Sequence, residues 1–211
     1  MMDKEKEKIE ILVSKKACLH GVELGKKIYL GKVKKSNGFY RGSANELQAD
    51  IYGFAAKAVI CEFFESPLPS FEPSNVKKYD LLSGDKKIVV KKVGFSRFTK
   101  QPKVTINKRQ YSFKKDYVDA FLFCTFTGGL QQVSAGVGDY QIFIPLPIFS
   151  KLWLLGWLKS DEVEKIGRTH IWKDNNGKAS GESWDFKQLQ LRPMETLLTE
   201  AQMKKLRGKN I

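Results

Sequence analysis

Histidine is scarce in this chain. Only His20 and His170 occur among 211 residues, too few for a histidine-relay nuclease or a histidine-rich metal finger. The three cysteines, Cys18, Cys61 and Cys124, lie far apart, with no Cys-x-x-Cys pair. That excludes a disulfide framework and leads us to expect reduced thiols in a cytoplasmic protein. Cys61 and Cys124 stand in apolar stretches and read as small core residues. Cys18-Leu19-His20 offers two metal ligands, but no second pair completes a zinc site. No apolar run reaches the ~20 residues of a membrane span, and the charged start MMDKEKEKIE reads as a solvated tail rather than a secretory leader. There is no P-loop and no nucleophile elbow. Gly136-Val137-Gly138 lacks the third glycine of a dinucleotide loop. Asn175-Asn176-Gly177 reads as a hairpin turn, because Lys178 stands where a calcium loop needs an oxygen ligand.

Basic charge is what the chain has in excess. The net charge is +14, from 37 Lys+Arg against 23 Asp+Glu. Between Val76 and Lys115 there are 13 Lys+Arg and 2 Asp+Glu, a net of +11, against +2 before this segment and +1 after it. Charge concentrated in this way is the footprint of a polyanion binder. Phe95, Phe98, Tyr111 and Phe113 interleave with the cations, either as stacking residues or as alternate positions on half-buried strands. A solvated basic surface, or one that meets an acidic protein, is the bland alternative.

The hydrophobic fraction of 42% supports a packed core. Residues 1–42 read as a charged tail and a small extension. Within it Ile9 to Lys34, punctuated by Gly21, Gly25 and Gly31, reads as strand-rich or irregular. Residues 43–211 read as one domain. Leu47, Ile51, Phe54, Ala58 and Cys61 follow helical spacing to about Glu65, where Ser66-Pro67-Leu68-Pro69 stops the helix. Strands are expected at about 77–82, 86–94, 103–106, 109–113, 117–125, 139–145 and 152–158. The nearly all-apolar 118–124 should be a central strand covered on both faces. A short helix at "SDEVEKIG" and a terminal helix in "LRPMETLLTEAQMKKL" complete a mixed α/β (α+β) domain, a central mixed sheet flanked by helices.

"YDLLSGDKKIVVKKV", Tyr79 to Val93, reads as two strands around a turn, with Asp80 before the turn and Lys91 and Lys92 after it. Period-two alternation puts positions 89 and 91 on one face and Ile88 and Val90 toward the core. This hairpin resembles the core of the PD-(D/E)xK nuclease superfamily, with its restriction-endonuclease-like fold. The helix "GFAAKAVICEFF" before it and the strands and helices after it, over roughly residues 45–200, are similar in order. The resemblance implies Mg²⁺- or Mn²⁺-dependent hydrolysis of DNA phosphodiesters. Asp80 and position Val90 would contact the metal, Lys91 would assist the attacking water, and positions 89 and 57 would carry acids.

The chain departs from that pattern twice: Val89 replaces the acid of Glu-x-Lys, and Lys57 stands where a helix glutamate is expected. Asp85, Glu46, Asp50 and Glu62 are the acids that could substitute. Three expectations follow. One is an endonuclease impaired at its metal site, another a noncatalytic nucleic-acid-binding protein on the same fold, and the third a basic interaction protein. DNA contacts are assigned to Lys92, Arg97, Lys100, Lys103, Lys108 and Arg109, and a homodimer is a further expected partner. In the simplest hairpin reading, Asp80 only pairs with Lys77, Lys78 or Lys91.

Overall fold

A computed structural model describes residues 9–35, 44–70, 79–94, 103–127, 131–137, 140–146, 151–173 and 176–207. The chain divides into two compact units: Met1–Ile9 with Lys78–Thr125 and Trp153–Ile211, and Glu10–Lys77 with Phe126–Leu152.

The second unit is built on two helices. A short strand β1 (Ile9–Leu12) precedes helix α1 (Lys15–Lys35), and helix α2 spans Ala44–Phe63. The expectation of a strand-rich or irregular segment over 9–34 is therefore corrected. Ser14 starts α1, its Oγ accepting from Ala17 N at 3.3 Å. Ala17, Cys18, Val22 and Tyr29 are buried along it. Gly21 and Gly25 are contact residues, not breaks. A Cβ on Gly21 would overlap the Ala55 backbone, and one on Gly25 would stand 2.6 Å from Ile51 Cα. α2 buries Leu47, Ile51, Ala55, Ala58 and Val59 toward this partner. It ends as read. Ser66 N donates to Cys61 O at 2.8 Å, Glu65 takes φ 56°, and Pro67 cannot continue the helix. The unit also holds an antiparallel pair, β6 (Gln131–Val137) and β7 (Tyr140–Leu146).

The first unit carries most of a mixed five-stranded sheet in the order β1-β8-β5-β3-β2, with β2 at Leu81–Ser83, β3 at Lys86–Lys92, β5 at Ala120–Thr127 and β8 at Lys151–Lys159. β2 and β3 are antiparallel, and β3 and β5 are parallel, Val89 opposite Phe121 and Lys91 opposite Phe123. Every residue of β5 is buried, as expected of a strand covered on both faces.

A second sheet of order β4-β10-β9 joins β4 (Lys103–Asn107), β10 (Ala179–Lys187) and β9 (Arg168–Lys173). The unit's core gathers Val89, Val104, Ile106, Tyr111, Phe121, Phe123, Leu158 and Phe186.

The strand expected at 109–113 is instead helix α3 (Lys108–Lys114), started by Asn107, whose side chain accepts from Gln110 N at 3.1 Å. Of the strand expected at 77–82, residues 77 and 78 lie outside the described residues, and the described part is regular from Leu81. A short helix α4 (Val163–Ile166) follows a 3₁₀ turn at Ser160–Glu162, and α5 (Glu200–Arg207) closes the described chain. β9 and β10 form the hairpin expected around Asn176-Gly177, with Gly177 at φ 77°. No helix among the described residues is long and apolar enough to cross a membrane.

Candidate functional site

Asp80 stands where β2 has not yet begun, and its side chain completes the edge of β3. Its N–H donates to Ile88 O at 2.8 Å, and its Oδ2 accepts from Val90 N at 2.8 Å. A carboxylate here replaces the main-chain acceptor that a longer β2 would offer. Asp119 serves the opposite edge of β3, its Oδ2 accepting from Lys87 N at 2.7 Å. Both acids that flank the strand thus hold its backbone.

Alternation places Val89 and Lys91 on one face, as expected, and Ile88, Val90 and Lys92 on the other. The burial does not follow the expectation that position 89, unlike Ile88 and Val90, points away from the core. Val89 is 2% exposed and belongs to the apolar core with Tyr111 and Phe121. That expectation is corrected: a methyl-lined, dry position stands where the resemblance implies an acid. Lys91 reaches the first turn of α3, its Nζ donating to Gln110 Oε1 at 2.6 Å.

Lys92 lies on the Cys124 side of the sheet, and partial burial lowers its ammonium below the ordinary lysine range, the charge of Cys124 opposing this. Burial pushes the Cys124 thiol up to about 12, with Lys92 pulling it down and Asp80 pushing it further up.

Lys57 belongs to the second unit, on α2, its Nζ 4.8 Å from the Phe54 ring centroid. Asp85 is exposed in the turn between β2 and β3, and Glu62 Oε1 accepts from Ser14 Oγ at 3.1 Å. Arg97 and Lys100 lie outside the described residues, as do Lys77, Lys78, Phe95 and Phe98.

Lys103 pairs with Asp185 at 3.1 Å. Lys108 pairs with Glu182 at 2.8 Å and stands 4.2 Å above the Trp184 ring. Arg109 is exposed on α3. Part of the basic segment is thus held by acids of β10, a detail the local charge count could not carry. Tyr111 is buried, its hydroxyl donating to Ser160 O at 3.0 Å, and Phe113 is exposed.

A divalent ion needs several oxygen ligands. The hairpin offers Asp80, one of whose oxygens already accepts the Val90 N–H, and Val89 and Val90 bring apolar, buried side chains. Among the described residues no group of three or more His, Cys, Asp or Glu stands together as a metal site. The donors present do not fit Mg²⁺ or Mn²⁺. Cys18 and His20 do not form a site either: Cys18 is buried, and His20 Nε2 donates to Pro69 O at 2.7 Å.

Comparisons with protein-family models, with curated proteins and with solved structures find no match to this chain.

Proposed function

We propose that this chain is a noncatalytic DNA-binding protein whose hairpin is built like that of a metal-dependent nuclease but does not hold the metal. The observation that carries the reading is Val89. It is packed into the core at the position where the second acid would stand, which leaves Asp80, with Asp85 exposed in the turn, as the hairpin's carboxylates. The net +11 between Val76 and Lys115 supports retention of a polyanion partner without the hydrolytic chemistry. The order of helix, Asp-bearing hairpin and, after β4, a helix and a strand parallel to β3 supports the resemblance of the sequence to the PD-(D/E)xK superfamily.

The test is duplex binding by fluorescence anisotropy, alongside incubation of supercoiled plasmid with Mg²⁺ or Mn²⁺. We expect binding at ~50 mM salt that weakens steeply by ~200 mM, and no nicking. Nicking by the unaltered protein that disappears in Asp80→Ala would restore the endonuclease reading. No duplex binding at low salt would leave the basic segment as an ordinary solvated surface.

A further inference from the structure

The sheet β4-β10-β9 has two different faces. Val104 and Ile106 of β4 and Phe186 of β10 point into the core, with Trp184 packed against it. Alternation sends the residues between them the other way. The register sets His170 beside Ser183, Arg168 beside Asp185, and Lys187 beside Lys103. The outer face is therefore a cationic ladder around one carboxylate.

That carboxylate is already neutralised. Asp185 accepts from Lys103 Nζ at 3.1 Å and from Ser183 Oγ at 3.2 Å, and His170 Nδ1 lies 3.9 Å away. Its side chain is 13% exposed, so it offers little repulsion to an incoming anion. Arg168 and Lys187 are exposed on either side of it. Lys103, Arg168, His170, Asp185 and Lys187 line one cleft of about 610 Å³.

The same face carries a ring pair. His170 and Trp172 stack edge-to-face with centroids 4.8 Å apart. Trp172 Nε1 donates to Ser183 Oγ at 3.2 Å, which fixes the indole beside the cations. Backbone-tracking cations with a neighbouring ring platform are the pattern that holds unpaired nucleotides, because bases stack on rings while phosphates meet the charges. A duplex keeps its bases stacked inside and has no use for the rings.

We propose that this face of β4-β10-β9 binds single-stranded nucleic acid, with phosphates at Arg168 and Lys187 and a base against His170 and Trp172. The proposal rests on the reading that nucleic acid is the ligand, and adds a strand type and a second location. The test is anisotropy of the full chain with labelled oligothymidylate and with a duplex of the same length. It is repeated on Arg168→Ala/Lys187→Ala and on Trp172→Leu, with circular dichroism to confirm folding. Arg168 and Lys187 are exposed, so the double variant keeps its core intact.

The expected result is single-strand affinity weakened about tenfold in each variant, with duplex affinity unchanged. Unchanged single-strand affinity in the folded double variant overturns the proposal. So does duplex binding by the unaltered chain without single-strand binding, an outcome that leaves the DNA-binding reading standing. Failure to bind either strand form overturns both.

Discussion

A glutamate at position 89 would have to place its carboxylate in the apolar core that Val89 shares with Val104, Ile106, Tyr111 and Phe121, its cross-strand neighbour. A charge taken out of water without a partner costs more than the few methyl contacts it replaces. Val89→Glu is therefore expected to destabilise the protein by about 3 kcal/mol in urea unfolding, with no gain of metal affinity, while Val89→Ile stays within about 1.5 kcal/mol of the parent. A Val89→Glu protein as stable as the parent, and stabilised further by Mg²⁺, would show that the position opens to solvent.

A second residue-scale pair carries a pH dependence. Arg192 Nε donates to Glu162 Oε2 at 3.1 Å and its Nη2 to Glu162 Oε1. The Arg192 hydrogen bond is the largest cause holding the Glu162 carboxyl below the ordinary glutamate range; burial opposes it, and the Lys159 N–H assists. A carboxylate whose pKa is lower folded than unfolded adds stability above the unfolded value and loses it as pH falls through the folded one. The melting temperature of the parent should exceed that of Glu162→Gln at neutral pH, and the gap should close in acid below the glutamate range. A gap that stays constant with pH would remove this role from the pair.

At the scale of elements, α1 and α2 meet through glycine. Gly21 and Gly25 sit one helical turn apart on the buried stripe of α1, and added Cβ atoms would collide with the Ala55 and Ile51 backbones. Gly31, on the same helix, would meet nothing within 4 Å. Gly21→Ala should therefore destabilise by about 1–3 kcal/mol through overpacking. Gly31→Ala should instead stabilise by up to about 1 kcal/mol through helix propensity. Equal effects in thermal or urea unfolding would mean that the two helices do not pack at that contact.

The same glycines explain why α1 was illegible. Each counts against a helix by propensity, and the close approach that favours them is tertiary. β3, β5 and β8 were legible because their apolar runs are short, β-branched or aromatic, and bounded by turn signals. The α3 segment reads as a strand because Tyr111 and Phe113 alternate, whereas the Asn107 cap, whose side chain accepts from Gln110 N, starts a helix. For β9 and β10 only the turn between them is legible, because the outer face is mostly polar and their strand character lies in Trp184 and Phe186 against the core. Arg168, His170, Trp172 and Lys187 were passed over for the same reason: only the register brings them to one face. Of the hairpin, the sequence made legible the shared face of positions 89 and 91, but not that this face is dry at 89.

For the whole molecule the decisive quantity is where the charge resides. The unit containing the hairpin and the β4-β10-β9 sheet holds 26 Lys+Arg against 15 Asp+Glu, and the other unit 11 against 8. Most of the +14 therefore belongs to the unit that carries both proposed nucleic-acid surfaces. Yet the excess overstates the number of phosphate contacts, because Lys103, Lys108 and Lys115 already meet Asp185, Glu182 and Glu164. The partly exposed Lys108–Glu182 and Lys115–Glu164 pairs contribute little stability and exchange for a phosphate only where geometry allows, whereas Asp185 is largely buried beside Lys103. With part of the charge so engaged, about 4–6 phosphates should be neutralised on duplex DNA, giving a slope of log K against log salt near −4 to −5. Over the interval from ~50 to ~200 mM salt that amounts to a loss of about 10²–10³ in affinity. A slope near −10 would mean that the internal pairs open to release their lysines on binding. A slope near zero would show that the charge of this unit does not meet a polyanion at all.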